Sequence, residues 1–199
     1  MTVGKTRLPW AVYHGERSGI KLHVSFTNET TMPLKVVETI VLKHDDSIGE
    51  FLEDKRFIPV CYRAYFSIDK VDRYLKDHQH YVQVNRKKSL YSSPINNFNE
   101  SADFTYLLGT PQKQTNNRHR VVQFMDHEGK EIRVVTSLMD SIAEEIADMY
   151  KSRWAIESFS RWMKQNLNVP VLFGTTRNAV FNQLFAAFIV YVCLEFIYT

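Results

Sequence analysis

The sequence predicts an α/β protein: a sheet interrupted by a β-rich insertion and completed by two long helices. Three observations predict it. Apolar and polar residues alternate with period two in the first third, more strand-like runs fall between residues 104 and 138, and the last third carries apolar residues at helical spacing. The composition supplies a core: of 199 residues 44% are hydrophobic and 13% aromatic, which excludes intrinsic disorder. Seven Gly and six Pro exclude collagen-like and linker-like chains. The length suits one domain, or one domain with an insertion.

The elements follow in order. Gly19-Ile20-Lys21-Leu22-His23-Val24-Ser25-Phe26 alternates as a half-buried strand does, Asn28 to Thr31 is a turn cluster, and Leu34 to Leu42 is β-branched; together they predict a hairpin. Asp45-Asp46 caps a short helix over Ser47 to Leu52. The run Phe57 to Tyr62 is apolar and too short for a helix, so a buried strand is expected. A helix covers Ile68 to Lys76, with Ile68, Val71 and Leu75 on one face, and a strand covers Tyr81 to Asn85. Residues 86–103, with Arg86-Lys87-Lys88 and Asn96 to Asn99, form a polar loop into a separate section. Strands follow at Phe104 to Leu108, Val121 to Phe124 and Ile132 to Thr136, the last two joined by the turn His127-Glu128-Gly129. The expected organisation is a first part of the core over residues 1–85, a β-rich insertion over 86–140 and a helical completion over 141–199.

Ser141-Ile142-Ala143-Glu144 has the form of a capping box. Behind it Ile142, Ile146, Met149, Ile156, Phe159, Met163 and Leu167 make one apolar stripe, so a single helix of about 27 residues, roughly 40 Å, is expected. Asn168-Val169-Pro170 and Gly174-Thr175-Thr176 end it, and a second helix runs from about Asn178. Its uninterrupted apolar stretch, Leu184 to Leu194, falls short of the roughly 20 residues a bilayer span needs, so a core helix is expected. No secretory leader opens the chain, and Cys61 and Cys193 lack metal-ligand spacing; reduced, buried thiols in a cytoplasmic protein are expected. The net charge of +3 permits a nucleic-acid partner without requiring one.

Four polar residues on the long helix carry chemical information. Tyr150, Arg153, Glu157 and Lys164 have the spacing Tyr-x2-Arg-x3-Glu-x6-Lys. On a regular helix they fall within roughly 60° of one another, in a stripe about 22 Å long beside the apolar stripe. Two cations and a phenol around one carboxylate suit a polyanion with a metal ion between. The same spacing also describes an Arg153–Glu157 ion pair on a solvated face, worth about 0.3–0.5 kcal/mol.

Tyr150-Lys-Ser-Arg153-Trp-Ala-Ile-Glu157, followed by Arg161-Trp162-Met-Lys164-Gln, resembles the Y-(2)-R-(3)-E-(6)-K signature of bacterial insertion-sequence DDE transposases, in particular the insertion-sequence-four group. Gly19 to His23, Lys43-His44-Asp45, Arg63-Ala64-Tyr65-Phe66 and Asn178 to Leu184 are similar to that family in the same order, so the resemblance spans nearly the whole chain. It implies a ribonuclease-H-like mixed sheet, incomplete at the N-terminus, with the β-rich insertion before a long catalytic-type helix. It implies DNA transposition: three carboxylates hold two divalent ions, Mg²⁺ by preference, which activate water and then a DNA 3′ hydroxyl for attack on a phosphodiester. Glu157 matches the third carboxylate, a catalytic and metal ligand. Tyr150, Arg153 and Lys164 match the residues that handle DNA phosphates. The implied partners are DNA at transposon ends and further copies assembled on it, in the bacterial cytoplasm at the nucleoid.

Two departures from the family pattern qualify this. The second Asp precedes an Arg-Ala/Gly-Tyr sequence; here Arg63-Ala64-Tyr65 follows Tyr62, and a neutral phenol cannot bridge metals as a carboxylate does. The first Asp would lie on a strand preceding Met1, and residues 1–18 contain no Asp. With Glu157 as the remaining ligand, two-metal occupancy is expected to fail, at a cost of a thousandfold or more in rate. The expectation is therefore a truncated transposase domain, inactive alone, or a non-catalytic remnant that binds DNA or an intact transposase. Of the other residues, His78 and His80 are expected at the surface, His23 in a structural role, Arg118-His119-Arg120 in a solvated loop with phosphate contact as the alternative, Trp10 and Trp154 in packing, and Asp45 and Asp46 outside any metal site.

Overall fold

Period-two patterning becomes hydrogen-bonded strands where a run finds a partner for its backbone groups. A computed structural model describes residues 2–3, 8–14, 17–84, 103–110, 112–126, 128–166 and 172–198. Its strands are β1 (Thr2–Val3), β2 (Val12–His14), β3 (Arg17–Ser18), β4 (Ile20–Thr27), β5 (Met32–Ile40), β6 (Val60–Cys61), β7 (Val82–Val84), β8 (Asp103–Tyr106), β9 (Gly109–Thr110), β10 (Lys113–Gln114), β11 (His119–Met125) and β12 (Glu131–Thr136). Its helices are α1 (Asp45–Leu52), α2 (Ile68–Lys76), α3 (Ala143–Ser152), α4 (Trp154–Asn166) and α5 (Arg177–Tyr198), with a 3₁₀ turn at Arg63–Tyr65. The molecule is mixed α/β and divides into two units, Met1–Leu52 with Trp154–Thr199, and Glu53–Arg153. The sequence reading placed its divisions at 85/86 and 140/141; the polar segment 86–102, Asn85, Leu167 and the turn 168–170 lie outside the described residues.

The first unit is built on the expected hairpin. β4 and β5 pair antiparallel from Ile20↔Ile40 to Thr27↔Met32, with a register shift at Ser25/Phe26, and β1 adds to β4. Alternation puts Ile20 and Leu22 into a core with Phe159 and Met163 of α4 and Val180, Leu184, Ala187, Phe188 and Tyr191 of α5. The buried positions of α5 repeat at helical spacing, so one face is seated as a core helix should be. The rest is not: Ile189, Phe196 and Ile197 are 64%, 82% and 72% exposed. By length and composition the 22-residue α5 could cross a membrane, with 28% of its apolar window buried in the protein. Cys193 is exposed, not buried as the sequence suggests, because it falls on that uncovered face. Asp45 lies in the first turn of α1 instead of before it, ion-paired to Lys21 at 2.9 Å.

The second unit is a five-stranded mixed sheet in the order β6-β7-β12-β11-β8, with β6 parallel to β7 and the rest antiparallel. The two faces are separate cores. Val82, Val122 and Val134 face Ile146 of α3, while Val121 and Val135 face Val71 and Tyr74 of α2 with Tyr81 and Leu108. The buried strand expected over Phe57 to Tyr62 shrinks to Val60–Cys61, half-buried, because Pro59 offers no amide donor and Tyr62 already caps the 3₁₀ turn. The α2 bounds agree with the sequence, but the buried residues are Lys70, Val71 and Tyr74 in place of Ile68, Val71 and Leu75. Lys70 is tolerated there since its Nζ sits 3.0 Å from Glu53 Oε1. The short pair β9–β10 has no sequence signal beyond Gly109, whose φ of +116° and a Cβ position 2.1 Å from the Lys113 carbonyl admit only glycine.

The single long helix is corrected to two. At Arg153 the amide donates to the Tyr150 carbonyl, three residues back, at 3.2 Å, a 3₁₀-type bond that tightens the turn between α3 and α4. The apolar stripe changes core at the same place: Ile146 and Met149 pack in the second unit, Ile156, Phe159 and Met163 in the first. The capping box is not formed either. α3 starts one residue later than expected, behind Ile142, with no side-chain cap, and the Ser141 carbonyl instead accepts from Arg120 Nη1 at 2.6 Å.

Candidate functional site

Three of the sequence-selected residues come together in the second unit. Tyr62 ends the short β6 segment in extended conformation, φ −69° and ψ 156°, and its ring lies 4.4 Å from the Arg153 guanidinium carbon. The Tyr150 ring lies 5.1 Å from the same carbon. The i, i+3 spacing on α3 brings Tyr150 to Arg153. Tyr62 reaches them only because β6 lies beside β7 and α3 covers that sheet. Tyr150 is backed by Phe124 of β11 at 5.8 Å and packs against the core of Val82, Val122, Val134 and Ile146. All three residues are half-buried, where a cation over a ring is worth about 1 kcal/mol.

Buried polar contacts fix α3 against the sheet. Arg120 and Asp103, 3% and 5% exposed, form a forked pair with Nη2 2.6 Å and Nε 2.9 Å from carboxylate oxygens. Arg120 Nη1 also donates to the carbonyls of Leu138 and Ser141, at 2.7 and 2.6 Å, tying down the approach to α3. On the opposite face Glu53 accepts from Arg73 at 3.0 Å and from Tyr74 Oη at 2.7 Å, beside Lys70. Burial, opposed by Lys70 and helped by Glu53, pushes the Cys61 thiol up to about 11, which favours the protonated thiol.

Glu157 and Lys164 lie on α4, in the first unit, half-buried and exposed respectively. The single continuous stripe expected for the four signature residues is therefore interrupted after Arg153. Two further expectations are corrected. His119 and Arg120 are in strand β11 and 0% and 3% exposed, so these two are not in a solvated loop, while Arg118 precedes the strand and is half-buried. Arg118 Nη2 donates to the Thr105 carbonyl at 2.8 Å. His119 bridges Tyr81 Oη and Asp72, and burial holds its pKa below the ordinary 6.5. Trp154 is 44% exposed and is no core residue. Trp10 does pack, against Phe181 at 5.6 Å, with Nε1 donating to the Thr175 carbonyl. His78 and His80 are exposed and His23 is buried on Thr39 Oγ1 at 2.8 Å, as expected. The sequence missed the buried Arg120–Asp103 pair; the only hint was an Arg inside a valine-rich strand.

The residues present do not fit the two Mg²⁺ ions that the resemblance implies. Tyr62, which the resemblance sets at the position of the second ligand, is a phenol whose ring faces the Arg153 cation. Among the described residues no three His, Cys, Asp or Glu side chains gather where a metal could be held. A cation seated at that ring opposes a divalent ion instead of helping to bind it.

Comparison with known proteins agrees with the signature. The chain is 52% identical over its whole length to the probable transposase for insertion sequence element IS5377 of Geobacillus stearothermophilus, covering 54% of that protein. It is 25% identical to the putative transposase for insertion sequence element IS4SA of Synechocystis, over 88% of the chain and 52% of that protein. It is 27% identical to the putative transposase y4zB of Sinorhizobium fredii, over 94% of the chain and 55% of that protein. The chain thus spans about half the length of these curated relatives. The sequence model of the family described as Transposase DDE domain matches residues 2–193, and the chain belongs to that family of insertion-sequence transposases.

Proposed function

We propose that this chain is a ribonuclease-H-like DNA transposase domain that engages transposon ends in the bacterial cytoplasm but does not by itself cut or join strands. Membership of the DDE family supports the reaction class, and that family generally uses a divalent metal. The observation that carries the loss of activity is the Arg153 guanidinium 4.4 Å from the Tyr62 ring, at the position where the family places its second carboxylate. Glu157 matches the family's third carboxylate. Tyr150, Arg153 and Lys164 contact DNA phosphates, the two cations by charge and the phenol by a hydrogen bond. Without metal charge on the reacting phosphodiester, the barrier rises by several kcal/mol, a thousandfold or more in rate.

The test is strand transfer by the purified chain on labelled DNA carrying insertion-sequence ends, with Mg²⁺ or Mn²⁺. No product above background is expected; product above background overturns the reading. The second reading is a non-catalytic remnant that binds DNA, or assembles with an intact transposase on it. Two rings beside the Arg153 guanidinium favour this reading, because they hold a phosphate-binding residue type in a fixed orientation. Two phosphate-contacting cations give a log–log salt slope of about −2. A slope of zero removes Arg153 and Lys164 from the DNA contact.

A further inference from the structure

The bend that leads into α5 is held at each residue. Leu172 packs against the core of the first unit, and the Phe173 amide donates to Gln183 Oε1 at 2.9 Å. A Cβ at Gly174 would lie 2.8 Å from that of Ala179, so the bend runs too close to α5 for a side chain there. The Thr175 carbonyl accepts from Trp10 Nε1 at 2.8 Å, and Thr176 Oγ1 accepts from the Ala179 amide at 3.3 Å. This fixed backbone nevertheless turns the Phe173 ring outward, 81% exposed. Among the described residues the more exposed aromatic rings are Phe196 and Tyr198, in the last turn of α5.

We infer that Phe173 is a base-stacking residue, whose ring takes an unpaired base of the bound DNA while Arg177 contacts a phosphate beside it. This rests on the DNA binding proposed above for the chain. An open ring in water is unrewarded, and the π-face of a base covers it whatever the base is. Bases inside a duplex are already stacked on their neighbours, so a single protruding ring finds a face where a base is unpaired. The surroundings suit DNA better than protein. Thr175, Thr176, Arg177 and Asn178 are exposed, and they offer hydroxyls, a guanidinium and a carboxamide, the donor types that meet phosphate. A protein-docking patch would set apolar neighbours around the ring instead. From Ser158 to Leu194 the chain has no acidic residue, while it has Arg161, Lys164 and Arg177, so phosphates meet no like charge along this stretch. The fixed bend also removes part of the entropy cost of ordering the ring on DNA.

The experiment compares two short duplexes, one fully paired and one with a single bulged 2-aminopurine, bound by the full chain at low salt with a chelator present. Affinity is read by anisotropy, and stacking by quenching of the 2-aminopurine. Wild type should prefer the bulged duplex about tenfold and quench its fluorescence. Phe173→Ala should lose both the preference and the quenching and bind the paired duplex as wild type does, while Phe173→Tyr should keep both. Thermal melting should be unchanged in both variants, because the ring is exposed. Arg177→Ala should weaken binding to both duplexes by the same factor. The inference is overturned if wild type binds the two duplexes equally, or if Phe173→Ala keeps the preference or the quenching. It is also overturned if Phe173→Ala instead dissociates an oligomer seen by light scattering, which would make the ring a protein contact. If wild type binds neither duplex, the DNA-binding reading itself fails and this inference falls with it.

Discussion

The two units of this chain each start from an antiparallel hairpin, β4–β5 in one and β11–β12 in the other, and then close their cores by different means. In the first, aliphatic side chains pack around a group of aromatic rings: Phe159 meets Phe26, Phe188 and Tyr191 at centroid distances of 5.2, 5.7 and 4.6 Å. In the second, thin valine faces are flanked by polar groups, with the buried Arg120 on Asp103, the partly buried Glu53 under Lys70, Arg73 and Tyr74, and Asp72 holding the buried His119 and the exposed amides of Asn116 and Asn117. Apolar packing is non-directional and degrades gradually as side chains are trimmed. A buried polar network fails abruptly, because removing one partner leaves the other unsolvated. The Tyr62–Arg153–Tyr150 cluster sits on the polar-locked unit, so its geometry depends on bonds that are either made or lost.

The strongest test of this contrast is Arg120→Leu. Leaving Asp103 buried and charged should cost about 3–5 kcal/mol, read as a loss of thermal stability, and the double variant Arg120→Leu/Asp103→Leu should recover much of it. Equal loss in single and double variants would place the cost in the Leu138 and Ser141 carbonyl contacts instead. In the first unit, Leu184→Ala removes a side chain that is 1% exposed and should cost about 3 kcal/mol without any such rescue.

A pH effect comes next in size and touches both units. Burial holds His23 and His119 below the ordinary histidine pKa of 6.5. The unfolded chain then takes up protons that the folded chain refuses, so this contribution is complete above about pH 6.5 and is lost as the pH falls toward the lowered values. Each site contributes a slope of at most about 1.4 kcal/mol per pH unit. Urea unfolding midpoints between about pH 7 and pH 5 should fall, and His119→Gln should flatten part of that fall. An unchanged slope in His119→Gln would assign the whole effect to His23.

The smallest effect is expected at Ile189→Ala on the uncovered side of α5. The residue is 64% exposed, so stability should move by no more than about 0.5 kcal/mol, measured by the same melting experiment. A loss as large as that of Leu184→Ala would mean that α5 is covered in solution.

Sequence pattern determined a good deal of this protein. The β4–β5 and β11–β12 hairpins, α2 and α5 were all legible, since each is specified by local periodicity and turn residues. So was the family, because Tyr150, Arg153, Glu157 and Lys164 keep their spacing in any conformation. Tertiary structure decided what periodicity cannot encode. The stripe from Ile146 to Met163 reads as one helix, yet it serves two cores with a 3₁₀ step at Arg153, because a one-dimensional pattern records that a side chain is apolar and not which core receives it. Arg118-His119-Arg120 reads as solvent-facing, yet His119 and Arg120 are buried, because their partners Asp72, Tyr81 and Asp103 are distant in sequence. The same holds at the site: the sequence shows that Tyr62 is not a carboxylate, and only the pairing of β6 with β7 beneath α3 brings its ring against the cation of Arg153.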